Sequence, residues 1–289
     1  MLDQAATLRS LVKAKTISNE KQRVAKVITI TSGKGGVGKS NIVVNLGLTL
    51  QKMGKKVLIF DADIGMGNDD IILGVYPKYN IYDVVLGKVT IKEAIVEGAL
   101  GISLLSGGSG LNKIDEFSEI QRERFISGIT SLDSYDYILM DTGAGVSRTV
   151  LGFIAASDEV FLVTTPEPTS LTDAYSLIKA VKHFNLKSKA RVIINRSYTE
   201  KEAVETYNKF KNVASKFISF ELEYLGYIYD DKKLVQAVRK QQAVVVSSPN
   251  SDTAKCLIKI ANTMVNEKND GEKIKGADGF FKKLFDLFS

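Results

Sequence analysis

Short apolar, β-branched runs alternate with amphipathic stretches along most of the chain. Val27–Thr31, Val57–Phe60, Ile102–Leu105, Tyr137–Asp141, Val160–Thr164, Arg191–Ile194 and Tyr224–Tyr229 read as strands. Between them, Lys39–Met53, Phe117–Leu132, a segment with Leu171 in its first turn, Lys201–Phe217 and Ser251–Asn266 read as helices. The first of these turns Ile42, Leu46 and Leu50 to one face and stops at Gly54. Ile71–Val75, Ile81–Val85 and Ile91–Ile95 read as short helical pieces. Strands without alternation, separated by helices, predict an α/β fold: one doubly wound, mostly parallel sheet of seven or eight strands over residues 27–265, with helices on both faces. No internal repeat or low-complexity tract interrupts it.

Two segments stand outside this rhythm. Residues 1–26 carry Leu2, Ala5, Leu8, Leu11 and Val12 at helical spacing, with Asp3 placed to cap and a net charge of +4. This is a basic arm, solvated or bound to a partner. Residues 266–289 open with a polar linker and end in a helical pattern. At 100° per residue, Phe280, Phe281, Leu284, Phe285, Leu287 and Phe288 fall within roughly 160°, opposite Lys282, Lys283 and Asp286. Such a stripe either folds back on the core or lies in a membrane surface. The polar linker and the density of aromatics favour the membrane.

The candidate chemistry begins at Gly33-Lys34-Gly35-Gly36-Val37-Gly38-Lys39-Ser40, set between the first strand and Asn41 of the first helix. Glycines let backbone N–H groups converge on phosphate, and the helix points its positive end at the same place. Lys39 would reach the β- and γ-phosphates, and the Ser40 hydroxyl would ligate Mg²⁺. The second strand ends in Asp61-Ala62-Asp63-Ile64-Gly65-Met66-Gly67-Asn68, at the carboxyl edge where parallel sheets bind ligands. Tyr137–Asp141 also ends in a carboxylate, followed by Thr142-Gly143-Ala144-Gly145. Ser106–Gly110 is Gly/Ser-rich but lacks a following Lys-Ser/Thr, so it reads as a loop near an interface rather than a second phosphate cradle.

The second lysine inside the loop, Lys34, resembles the deviant Walker A motif of the MinD/ParA branch of P-loop ATPases. The resemblance covers most of residues 27–265. It implies that Lys34 reaches a partner's nucleotide across a dimer interface, and that Asp61, Asp63, Gly65 and Asn68 form switch I. Asp61 would hold Mg²⁺ through water and Asp63 would orient the attacking water. Asp141 would be the Walker B carboxylate, and Gly143 and Gly145 would belong to switch II. Lys34, Lys39 and Asp63 are thus the catalytic candidates. Asn195 and Arg196 occupy the place of the adenine contact. Tyr229-Asp230-Asp231 and Gln242-Ala243 depart from the prolines common there. Asp3-Gln4-Ala5-Ala6-Thr7-Leu8-Arg9 resembles the DQAxxLR element of the FlhG (YlxH) family, with Asp3, Gln4, Ala5, Leu8 and Arg9 as the fixed positions. The resemblance implies a slow Mg·ATP-dependent ATPase that dimerises with ATP and attaches to anionic lipid on the inner face of the cell membrane, with a pole as one expected location. Its partners would be the GTPase FlhF and flagellar switch-complex proteins, in the control of flagellar number and placement. Rival readings are a division-site MinD, a ParA-type partition ATPase on DNA, and a nucleotide-binding scaffold with negligible turnover.

Composition narrows this a little. A charge of +6 and a pI near 9.1 suit an acidic partner: nucleotide, anionic lipid or nucleic acid. The aromatic tail speaks against the last. Cys256 is the one cysteine, so neither an internal disulfide nor an iron–sulfur cluster is expected, which agrees with a cytoplasmic protein. His183 is the one histidine, read as a surface or capping residue. No signal-peptide pattern or membrane-spanning run is evident.

Overall fold

The computed structural model describes residues 24–63, 67–108, 117–267, 274 and 276–288. The DQAxxLR element, Gly65 and the end of the Gly/Ser loop lie outside them. Eight strands form one sheet among the described residues: β1 Lys26–Ser32, β2 Val57–Ala62, β3 Ile95–Glu97, β4 Ser103–Ser106, β5 Tyr137–Ala144, β6 Glu159–Thr164, β7 Lys189–Ser197 and β8 Glu221–Tyr229. The helices are α1 Lys39–Lys52, α2 Asp69–Leu73, α3 Ile81–Val85, α4 Ile91–Ala94, α5 Glu119–Ile129, α6 Arg148–Ala156, α7 Pro168–His183, α8 Glu200–Ile218, α9 Lys232–Arg239, α10 Val244–Ser247, α11 Asp252–Asn266 and α12 Gly276–Phe288. The strand order is β3-β4-β2-β5-β1-β6-β7-β8. Every pairing is parallel except β3 with β4.

Most expected elements fall within a residue or two of their expected ends. The pattern missed β3 and α10, too short for a period, α6, which follows the second switch, and α9, whose polar turns hide it. His183 lies exposed in the last turn of α7. β1, β2, β4 and β5 divide their apolar side chains between two clusters. In β2, Val57 and Ile59 join one cluster, while Leu58, Phe60 and Ala62 join the other.

The second cluster takes in the tail. The stripe on α12 is folded onto the domain, not held off it by its linker. Phe280, Phe281, Leu284, Phe285 and Phe288 are buried, and only Leu287 stays exposed, at 41%. The Phe281 ring meets Phe60 and Phe125 edge-on, at 5.8 and 4.9 Å between centroids, and Phe280 stacks on Phe153 at 6.1 Å. Gly152 of α6 makes room: a Cβ there would lie 2.5 Å from the Phe288 ring. Lys283 donates to the Ala155 carbonyl, and the Arg148 guanidinium sits 5.0 Å from the Phe288 centroid. Burial contributes about 1.5–3 kcal/mol for each such side chain. The physical reason is a groove between α5 and α6, floored by Phe60, which the tail fills and which no local pattern announces. Among the described residues, no helix is long and apolar enough to cross a membrane.

Candidate nucleotide site

β1 ends in the loop 33–38, and α1 starts at Lys39. Gly35 and Gly36 are exposed, while Val37 is buried. Gly38, the residue before α1, sits at φ 93° and lies so close to Asn195 that a Cβ would come within 2.4 Å of its Nδ2. Only glycine combines that backbone with that approach. Ser40 and Asn41 fall in the first turn of α1, beside the loop.

The carboxylates arrive from the two neighbouring strands. Asp61 of β2 stands directly opposite Asp141 of β5 in the ladder. Both are buried. Lys39 reaches in from α1 and donates to Asp141 Oδ1 at 2.5 Å. Burial pushes the Asp141 carboxyl up, and Lys39 with the adjacent Ser40 pulls it back down. Asp61 has no lysine of its own. Burial, then the Asp141 charge, raises its pKa to about 7, although the Asp63 N–H donates to Oδ1 at 3.1 Å. Asp63 is half-buried, with its Oδ1 3.4 Å from where a Gly143 Cβ would be, so the two switch segments meet there. Gly145 N–H donates to the Ser32 carbonyl at 2.8 Å, tying the second switch to the end of β1. Asn68 precedes α2, exposed.

Asn195 is buried at the end of β7 and donates through Nδ2 to the Val37 carbonyl at 2.7 Å. Its Oδ1 has no hydrogen-bond partner. The amide therefore braces the phosphate loop with one end and keeps an acceptor for a donor such as an exocyclic amino group. Arg196 is exposed, in left-handed backbone at φ 57°. Asp231, one of the departures noted above, caps α9 by accepting from the Lys233 N–H.

Three residues near the site escaped the sequence reading. Glu167 and Thr169 hold Lys34: its Nζ lies 3.2 Å from Glu167 Oε2 and 3.0 Å from Thr169 Oγ1. The third, Asp69, opens α2 and is fully buried. Only its place directly after switch I could have drawn notice.

A family model described as an AAA domain matches residues 25–194. The flagellum site-determining protein YlxH of Helicobacter pylori is 38% identical over 98% of this chain and 98% of its own. The chain belongs to the FlhG (YlxH) group of the MinD/ParA family of ATPases. The antiactivator FleN of Pseudomonas aeruginosa is 36% identical over 78% of this chain and 81% of its own. MinD of Pyrococcus horikoshii, solved in complex with Mg-ADP, superposes with a TM-score of 0.67 at 26% identity, covering 84% of this chain and 96% of that one.

The FlhG-type site suits Mg²⁺. Asp61 and Asp141 stand side by side with one lysine, which pairs with Asp141 Oδ1, and Asp141 Oδ2 is buried with no hydrogen-bond partner. No three acidic, histidine or cysteine side chains among the described residues stand close enough to hold an ion by themselves. Mg²⁺ keeps several waters and takes ligands from phosphate and few side chains, so such a donor set fits it, with Ser40 as a residue that would hold it. Family membership and the phosphate loop make the chain an ATPase.

Proposed function

We propose that this protein is an ATP-dependent dimerising ATPase that associates with the inner face of the membrane and sets flagellar number and placement together with the GTPase FlhF. The observation that carries the flagellar part is the end-to-end likeness to YlxH of Helicobacter pylori, named as flagellum site-determining. The DQAxxLR pattern at residues 3–9 is the feature that favours FlhF as partner. Switch-complex proteins would be further partners.

Hydrolysis would use this chain's groups as follows. Lys39 exchanges Asp141 for phosphate oxygens. Asp63 accepts a hydrogen bond from the attacking water and orients it. The Gly143 N–H donates to the γ-phosphate, and Lys34 leaves Glu167 and Thr169 to face the partner's nucleotide. Mg²⁺, held by Ser40 and through water by Asp61 and Asp141, would supply charge to offset that on the phosphates. Asn195 Oδ1 would accept from the adenine amino group.

The α12 stripe would bind lipid after leaving its groove. One short helix binds weakly, whereas two on a dimer gain about 10²–10⁴ in avidity. ATP would thus control membrane residence through dimerisation. The test is liposome sedimentation of the full chain with ATP, with ADP and without nucleotide, alongside the GTPase rate of FlhF. ATP-dependent sedimentation with a faster GTPase is expected. Sedimentation without GTPase stimulation would instead favour division-site placement of the MinD kind. DNA binding with a steep salt dependence, and no sedimentation, would favour partition.

A further inference from the structure

Asp69 is a carboxylate with no structural reason to be where it is. It opens α2, a position at which acidic side chains usually stay in water beside the helix dipole. Here it is fully buried, and neither Oδ1 nor Oδ2 has a hydrogen-bond partner. Burial, then the Asp141 charge, pushes its carboxyl well above the usual carboxylate range, and it stands against that of Asp141, near Asp61 and Lys39. Asp141 Oδ2, likewise buried, also lacks a partner. When both are ionised, two acceptor groups face each other with no donor between them, and among the described residues Lys39, already committed to Asp141 Oδ1, is the cation named as acting on Asp69. An unpaired buried carboxylate costs several kcal/mol that an apolar residue would not. What would offset that cost is positive charge, or water polarised by positive charge, between Asp69 and Asp141.

We propose that Asp69 is an additional outer carboxylate of the divalent-cation site, accepting hydrogen bonds from metal-bound water and making nucleotide binding more dependent on the cation than Asp61 and Asp141 alone would. It is a positioning residue and touches no reacting atom. The inference rests on the Mg·ATP reading of the site. The proposed role is indirect, through water, and agrees with the lack of any group of three such side chains placed to hold an ion among the described residues. A hydrated Mg²⁺ keeps several waters and needs acceptors for them.

The test uses the full chain and Asp69→Asn, with Asp69→Leu as a second variant. Binding of a fluorescent ATP analogue is measured in EDTA and across a MgCl₂ titration, with melting temperatures in EDTA. Asp69→Asn, which keeps the size but cannot ionise, should leave affinity in EDTA equal or tighter and the metal-free melting temperature no lower. The MgCl₂ concentration giving half the Mg²⁺ effect should rise about tenfold, as for other outer-shell partners. An unchanged MgCl₂ curve overturns the proposal. So does an equal loss of affinity with and without Mg²⁺, which marks a purely structural residue. If the unaltered chain binds the analogue equally well with and without Mg²⁺, the Mg·ATP reading itself fails and this inference goes with it.

Discussion

Lys34 Nζ is held 3.2 Å from Glu167 Oε2, within one chain, on the surface where the proposed dimer would bring a second subunit. The pair is partly exposed, so it is worth about 1 kcal/mol at most. That is enough to hold the lysine back without trapping it. Glu167→Gln should therefore tighten the ATP-bound dimer by up to about fivefold. Sedimentation velocity across a concentration series reads this. A weaker dimer would place Glu167 among the contacts that dimerisation needs.

Lys39 and Asp141 form a buried pair, and removing one partner leaves the other uncompensated. Lys39→Ala should abolish ATP binding and lower stability by about 3–5 kcal/mol at neutral pH. Because burial raises the Asp141 carboxyl, the deficit should shrink as pH falls and that group takes up a proton. Calorimetric titration with ATP and denaturation at two pH values check both statements.

The metal-free protein should gain stability on mild acidification. Asp61 titrates near 7 in the folded chain, against 3.8 as its ordinary value. A carboxyl with a raised folded pKa holds its proton in the folded state while the unfolded state has lost it. Its stabilising contribution is complete below about 3.8 and disappears as pH climbs through about 7. The melting temperature in EDTA should thus fall between pH 6 and 8. Asp61→Asn should flatten that slope, and a slope of the same size in the variant would assign it to other groups.

Gly152→Val should push α12 from its groove, because even a Cβ there meets the Phe288 ring at 2.5 Å. Limited proteolysis should cut more readily before Gly276, and liposome sedimentation should rise without nucleotide. Faster cleavage with no gain in sedimentation would leave α12 a structural element only.

Asp63 meets the second switch at Gly143 without pairing to Lys39. Asp63→Ala should keep ATP affinity within about threefold, a half-buried loop change of the order of 0.5 kcal/mol, while turnover falls and the dimer persists on membranes. A monomeric, non-sedimenting variant in ATP would remove Asp63 from the water-orienting role.

The sequence by itself determined the sheet, the phosphate loop and the two carboxylates at strand ends. Each of these is written in adjacent residues: a run of β-branched side chains, a Gly-rich turn, then helical spacing. Asp61 and Asp141 were legible because a carboxylate closing an apolar strand must surface at the ligand edge of a parallel sheet. The tertiary structure alone decided the partners. Lys34 and Glu167 are 133 positions apart, and Asn195 braces Val37 across 158. The amphipathic pattern at 280–288 stated that one face must leave water but not what would cover it. The answer depended on a groove assembled from Phe60, Phe125 and Phe153, three distant segments. Asp69 reads as an ordinary helix-opening acid until the fold closes over it, because burial belongs to what packs around a residue and not to its neighbours in the chain.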